Sequence, residues 1–97
     1  MSKEKIKLTK YDMANYLTTE KEITAFLKAS IEDNDPDYLP RALGIVARAR
    51  GMTKVAKKAG VTRSSLYKAF SEGGNPEFST VLKVLDALGL KFKITRA

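Results

Sequence analysis

One stretch decides the fold of this chain: Met52-Thr53-Lys54-Val55-Ala56-Lys57-Lys58-Ala59-Gly60-Val61-Thr62-Arg63-Ser64-Ser65-Leu66-Tyr67-Lys68-Ala69-Phe70. Its first part places Met52, Val55, Ala56 and Ala59 at the i, i+3, i+4, i+7 spacing of one helix face. Gly60 ends that helix, and Thr62 suits the N-cap of a second helix over residues 63–70. The stretch therefore predicts two helices joined across a very short turn.

The spacing within this stretch is that of a helix-turn-helix. Such a motif needs a small residue in its first helix, a glycine four positions later, an apolar hinge, and an apolar core residue five further on. These places are filled in order by Ala56, Gly60, Val61 and Leu66. The polar residues of the second helix can all bond phosphates or base edges, and none is acidic: Arg63, Ser64, Ser65, Tyr67, Lys68. The pattern favours a DNA-binding motif over a plain helical hairpin.

Four segments carry a family resemblance: Ala47-Arg48-Ala49-Arg50-Gly51-Met52, Ala59-Gly60-Val61-Thr62-Arg63-Ser64-Ser65-Leu66-Tyr67-Lys68-Ala69-Phe70, Gly74-Asn75-Pro76 and Val81-Leu82-Lys83-Val84-Leu85-Asp86-Ala87-Leu88-Gly89-Leu90. They resemble the addiction-module antidote family, a HigA-like branch of the phage-repressor (Xre/Cro) helix-turn-helix proteins. Residues 11–17 and 33–37 resemble the leading segment of that family more loosely.

The resemblance implies an antitoxin of a type II toxin-antitoxin (addiction) module. Such a protein would bind a small RelE-like toxin, bind double-stranded operator DNA, and repress its own operon. By the family's motif, Arg63, Ser64 and Lys68 are the base-reading positions, with Tyr67 beside them. The alternative is a plain prophage-type transcriptional regulator without a toxin partner.

The distribution of charge points to the same kind of partner. The net charge is +7. Residues 1–40 hold six basic and eight acidic side chains, net −2, whereas residues 41–97 hold twelve and three, net +9. A basic excess on the helix-turn-helix half is the electrostatic footprint of a polyanion-binding surface. We expect six residues to contact DNA phosphates: Thr53, Lys54, Lys57, Thr62, Ser65 and Lys83.

The composition argues against other classes of function. Because the 97 residues include no Cys and no His, structural zinc, thiol chemistry and imidazole catalysis are excluded, and we expect neither an enzyme nor a cofactor. Alternating acids at Asp33, Asp35 and Asp37 mimic the start of a calcium loop. Tyr38 and Gly44 stand where that loop needs Gly and Glu, so the acids are interpreted as loop and N-cap residues, with no metal. No apolar run is long enough to span a membrane, and residues 1–5 lack a signal core, which predicts a cytoplasmic protein.

The remaining pattern predicts an all-α fold of five to six helices, phage-repressor-like, with short terminal β-ribbons. A strand is expected at 5–10 and another at 90–94, a helical turn at 11–17, and a helix opened by a capping box at Thr19 to Glu22. Three sets of core residues are predicted for the other helices: Ile23, Leu27 and Ile31; Leu39, Ala42, Leu43, Val46 and Ala49; Phe78, Val81, Leu82, Leu85 and Leu88. One domain is expected over 1–97, with N-terminal strand and helices at 1–36, the helix-turn-helix core at 37–90 and a short strand at 90–95.

Two other functional classes fit the size and charge less well. A small basic nuclease, such as a RelE-like toxin, would need several strands in a central sheet, whereas helical patterns run from about residue 11 to residue 88. A protein-binding adaptor would leave the basic surface without a role. Since one helix-turn-helix offers few base contacts, we also expect a homodimer on a two-fold operator.

Overall fold

The computed structural model describes residues 16–32 and 35–96, and this part of the chain forms five helices and no strand. The helices are α1 (Glu20–Glu32), α2 (Tyr38–Arg50), α3 (Met52–Ala59), α4 (Arg63–Ala69) and α5 (Phe78–Ala87). The predicted strand at 5–10 and most of the predicted turn at 11–17 lie outside the described residues. None of the five helices is long and apolar enough to cross a membrane.

Helix α1 begins with the predicted capping box. The Thr19 hydroxyl accepts a hydrogen bond from the Glu22 amide at 3.1 Å, and the Glu22 carboxylate accepts from the Thr19 amide at 3.0 Å. The same carboxylate also accepts from the Thr18 amide at 3.0 Å. Because bonds from the Thr19 and Thr18 amides favour the charged form, the pKa of Glu22 lies below its ordinary value of 4.5. The start of α1 is therefore held by its own sequence.

The buried face of α1 differs from the prediction at its end. Ile23 and Leu27 are buried as expected, but Ile31 is 48% exposed and Ser30 is buried in its place. The Ser30 hydroxyl donates to the Phe26 carbonyl at 2.9 Å, which satisfies the only polar group of this side chain. A serine bonded back to its own helix can therefore occupy the core, and the buried face of α1 ends at Ser30, one residue before the predicted Ile31.

Helix α2 runs through the centre of the molecule. The predicted core residues Ala42, Leu43 and Val46 are fully buried, and so is Ala47. Gly44 is buried as well, because a Cβ at this position would overlap the carbonyl oxygen of Phe70. The backbones of α2 and of the end of α4 therefore lie so close together that only glycine fits at position 44.

Helix α5 packs chiefly against α3 and buries Val81, Val84 and Leu85. The prediction that Phe78 and Leu82 belong to the core is wrong, since they are 61% and 39% exposed. Helix α3 packs on the side of α5 that carries Val81, Val84 and Leu85, and the adjacent side with Phe78 and Leu82 is exposed to solvent.

The segment after α5 is not the predicted strand, because residues 90–96 have no regular structure. The turn at Gly89 is closed by a bond from the Leu90 amide to the Leu85 carbonyl at 2.8 Å. Beyond it, Phe92 packs edge-to-face on Phe78, with ring centroids 5.8 Å apart. The alternation of Lys and apolar residues in this segment is a local pattern. A β-strand also needs a second strand to hydrogen-bond with, and a two-stranded ribbon has marginal stability.

We predict that the capping box makes α1 sensitive to acid. A lowered pKa means that the bonds of Glu22 stabilise the fold above pH 4.5 and are lost as the pH falls through the lower folded-state pKa. Glu22→Gln keeps the bonding geometry but cannot titrate, so its melting temperature should fall less than that of the wild type between neutral and acid pH. Circular dichroism melts across this pH range would measure the difference. Glu72→Gln, in the exposed loop after α4, is the control and should follow the wild type.

Candidate nucleic-acid interface

Helices α3 and α4 are joined by the predicted tight turn. Gly60 has a left-handed φ of 76°, and its amide donates to the Lys57 carbonyl at 3.2 Å. The Val61 amide donates to the Ala56 carbonyl at 3.0 Å, which completes the Schellman closure of α3. Ala56 and Leu66 are both buried between the helices. These contacts confirm the two helices and the very short turn predicted for this part of the chain.

The N-terminus of α4 is capped by Thr62, as predicted. The Thr62 hydroxyl accepts from the Ser65 amide at 3.0 Å and donates to the Ser65 hydroxyl at 2.9 Å. Within this pair, the Thr62 proton is used inside the protein, whereas the Ser65 hydroxyl keeps its own proton for an external acceptor. Ser65 therefore suits a phosphate contact better than Thr62 does, although both contacts stay predictions.

The solvent face of α4 brings all four predicted base-reading residues together. Ser64 and Lys68 lie one helical turn apart at its centre, with Tyr67 beside them and Arg63 at the N-terminal end. All four are exposed, and Leu66 points the other way into the core. Helices α3 and α4 carry five cationic side chains and no acidic one: Lys54, Lys57, Lys58, Arg63, Lys68. The face is polar and positively charged, and α3 and α4 contain no acidic side chain that could form an ion pair with these cations.

The C-terminal end of α4 is held by close packing at two glycines that the sequence analysis did not predict. A Cβ on Gly74 would overlap the carbonyl oxygens of Lys68 and Ala69, so the following loop folds tightly under the helix. The Ser71 hydroxyl donates to the Tyr67 carbonyl, and Gly44 admits the Phe70 carbonyl from the other side. The signal for Gly44 was available, because an isolated glycine inside a helical pattern usually has a packing reason.

The predicted phosphate contacts are divided between two flanks of α3. Thr53 and Lys57 lie one turn apart on one flank. Lys54 lies on the other flank, where it lines an open cleft of about 580 Å³ together with Lys58, Arg50 and the end of α5. Glu20 also lines the cleft and approaches Arg50 at 4.0 Å. Lys54 therefore faces this cleft, although it lies only three residues from Lys57 on the solvent side of α3.

The last phosphate candidate, Lys83, comes from a different element. It is exposed on the side of α5 opposite Val81 and Leu85, and so it points away from α3. Its side chain does not extend the α3–α4 face. Lys57 is the better candidate for a phosphate contact next to the predicted base-reading residues.

Comparison with known proteins identifies the family. Residues 7–96 match the family model described as "Probable addiction module antidote protein". The chain belongs to this antidote family. It is also 42% identical over 90 residues to an uncharacterised protein of Haemophilus influenzae (strain ATCC 51907 / DSM 11121 / KW20 / Rd), and the match covers 93% of each chain. No solved structure matches the chain significantly. Antidote family membership implies a toxin partner in general terms. It does not by itself account for the positive charge of the α3–α4 face.

We predict that the Thr62 cap stabilises α4. Thr62→Ala should cost about 1 kcal/mol of unfolding free energy, because it leaves the Ser65 amide without its partner. Thr62→Ser keeps a hydroxyl in place and should cost less. Urea unfolding of the free protein measures both values, with Thr53→Ala as the control at an exposed threonine inside α3. A loss for Thr53→Ala as large as that for Thr62→Ala would contradict a specific capping role.

Proposed function

We propose that this protein is the antitoxin of a type II addiction module, and that it binds operator DNA through α4 to repress its own operon. Antidote family membership supports the antitoxin role. The observation that carries the DNA-binding role is the face of α4, which presents Arg63, Ser64, Tyr67 and Lys68 together. The proposal assigns no catalytic residue and no cofactor, and it locates the protein in the cytoplasm with its operator.

In this proposal α4 enters the major groove. Seven residues of helix are about 10 Å long, which suits a groove about 12 Å wide. Arg63 would bridge the O6 and N7 acceptors of a guanine, while Ser64, Tyr67 and Lys68 face the neighbouring base edges. Thr53, Lys57 and Ser65 would hold phosphates on either side and fix the register of the helix on the duplex.

A two-fold homodimer follows from the small size of this face. Four side chains cannot select one site in a genome, so two copies would bind half-sites about 34 Å apart, one helical turn of DNA. The operator should then be an inverted repeat with that spacing.

The proposed toxin is a small, basic, RelE-like protein. Its complement would be the acidic part of the chain around α1 and the following loop, where five described acids are exposed: Glu20, Glu22, Glu32, Asp35, Asp37. Opposite charges on the two partners would steer their encounter. Since this surface belongs to elements other than α3 and α4, toxin and operator could be held at the same time. The second candidate is a prophage-type regulator without a toxin, which the α3–α4 face supports equally.

We predict that Arg63 reads a base. Arg63→Ala should weaken binding to the operator by about 1–3 kcal/mol and remove the preference at one position of each half-site, with little change on a scrambled duplex. Fluorescence anisotropy titrations at two salt concentrations would measure both affinities.

Lys57→Ala is the matched control for a phosphate contact. It should weaken binding to operator and scrambled duplex alike, and reduce the salt slope by about one unit. If Arg63→Ala behaves in the same way, the base-reading role is wrong. If the wild type shows no salt-dependent binding to any duplex, the DNA-binding part of the proposal fails.

The toxin partnership predicts a specific pair of results with the adjacent reading frame. Expression of that neighbour alone should arrest growth, and co-expression of this chain should relieve the arrest, with both proteins co-purifying. A variant with Glu22, Glu32 and Asp35 changed to Gln, Gln and Asn should lose relief, because it removes negative charge facing the basic partner. Arg63→Ala should keep it. A toxic neighbour that this chain does not relieve would leave the prophage-type regulator as the function.

A further inference from the structure

The solvent face of α4 contains one large apolar group. Arg63, Ser64 and Lys68 are polar, whereas Tyr67 places an aromatic ring among them and is 60% exposed. The other exposed large apolar side chains of the described residues lie on α1, on α5 or outside the helices, so α3 and α4 carry this one alone. A ring left mostly in water contributes little burial to the fold, and its apolar surface is available to a ligand.

The position of Tyr67 is fixed by its neighbours. Leu66 and Phe70 are buried at 1% and 3% exposure, and the Ser71 hydroxyl donates to the Tyr67 carbonyl. Helix α4 cannot rotate about its axis without bringing Leu66 and Phe70 into solvent. The ring of Tyr67 is therefore held on the solvent face, one helical turn from Arg63.

The spacing of Arg63 and Tyr67 sets which base pairs they can reach. Four residues of α-helix advance about 6 Å along the helix axis, and consecutive base pairs lie about 3.4 Å apart. With α4 in the major groove, Tyr67 would meet base edges about two base pairs from those that Arg63 meets.

The chemistry of the ring selects one kind of group in that groove. The base edges present hydrogen-bond donors and acceptors, and thymine alone adds an apolar group, the C5-methyl, which apolar side chains contact. Arg63, Ser64 and Lys68 can bond donors or acceptors but gain little from a methyl group. The ring of Tyr67 would bury that methyl and lose part of its own exposed apolar surface.

We propose that Tyr67 reads the methyl group of a thymine in each half-site, about two base pairs from the guanine read by Arg63. This inference deepens the proposed DNA-binding function and rests on it. It makes Tyr67 a specificity-determining residue, and it assigns that role to the ring, not to the phenol hydroxyl.

The hydroxyl supplies the competing explanation. It could bond a phosphate, which carries no sequence preference, or an acceptor on a base edge. Tyr67→Phe removes the hydroxyl and keeps the ring, whereas Tyr67→Ala removes both. The two variants therefore separate the hydroxyl from the ring.

The first test selects bound duplexes from a pool of random-sequence duplexes, using the full chain. The wild type and Tyr67→Phe should enrich a thymine at one position of each half-site, and Tyr67→Ala should lose that preference while keeping the guanine preference. Arg63→Ala should show the reverse. Equal thymine enrichment by the wild type and Tyr67→Ala would overturn the proposal.

The second test removes only the methyl group. Deoxyuridine replaces the thymine in the selected duplex, pairs with adenine in the same way and lacks the methyl. Wild-type binding, measured by fluorescence anisotropy, should weaken about fourfold for each half-site, which is the effect of burying one methyl group. Tyr67→Phe should show the same ratio of the two affinities, and Tyr67→Ala should bind both duplexes equally.

Lys68→Ala is the matched control on the same face of α4. It should weaken binding to the thymine and deoxyuridine duplexes alike and leave their ratio unchanged. A wild type indifferent to the methyl group would refute the assignment, as would a ratio that persists in Tyr67→Ala. A ratio lost in Tyr67→Phe would move the role to the hydroxyl and also refute it.

The two proposals fail in different ways. If the DNA-binding function is wrong, the wild type should recover no preferred sequence from the pool and bind no duplex in a salt-dependent manner. If only the role of Tyr67 is wrong, the wild type should select a sequence and bind it, and Tyr67→Ala should select the same sequence.

Discussion

The close approach of α2 to the end of α4 is the contact on which the rest of the structure depends. Helix α4 has seven residues, which is too short to be stable on its own. Its shape comes from the burial of Leu66 and Phe70 and from Gly44, which lets the Phe70 carbonyl approach the α2 backbone. A side chain at position 44 would push α4 outward and tilt its solvent face. The direction in which Arg63 and Lys68 point is therefore decided in part by a residue on another helix that touches no DNA in the proposed complex.

The sequence predicted best what short-range spacing controls. Capping at Thr19 and Thr62 and the turn at Gly60 each depend on residues within about one helical turn, and each was confirmed. The spacing around this turn also predicted a core position for Leu66, and Leu66 is buried. The exposure of the four base-reading candidates follows as well, because a helix that buries Leu66 and Phe70 must turn Ser64 and Lys68 to solvent. Their contacts with DNA stay predictions.

The errors arise where the outcome depends on a distant neighbour. Apolar spacing shows which face of a helix can be buried, but it does not show how far the partner element extends. Phe78 and Leu82 continue the stripe of Val81 and Leu85, yet they lie beside the buried face of α5 and stay exposed. The strand predicted at 90–94 failed for a related reason, since alternation is local whereas a ladder requires a mate. The packing role of Gly44 was not predicted, because the group that fills the space beside it is the Phe70 carbonyl, which is far away in the sequence.

Ion pairs are sparse among the described residues, so the stability of this basic chain should depend on the salt concentration. Residues 41–97 carry a net charge of +9, and the described residues contain one ion pair, between Arg50 and Glu20 at 4.0 Å. The basic half therefore repels itself, and dissolved salt should relieve that repulsion and raise the melting temperature of the free protein. The same salt should weaken attachment to a polyanion. In the proposed complex, the phosphates of a duplex would neutralise part of this positive charge and stabilise the fold. The free protein would then be least stable, and its affinity for DNA highest, at low salt.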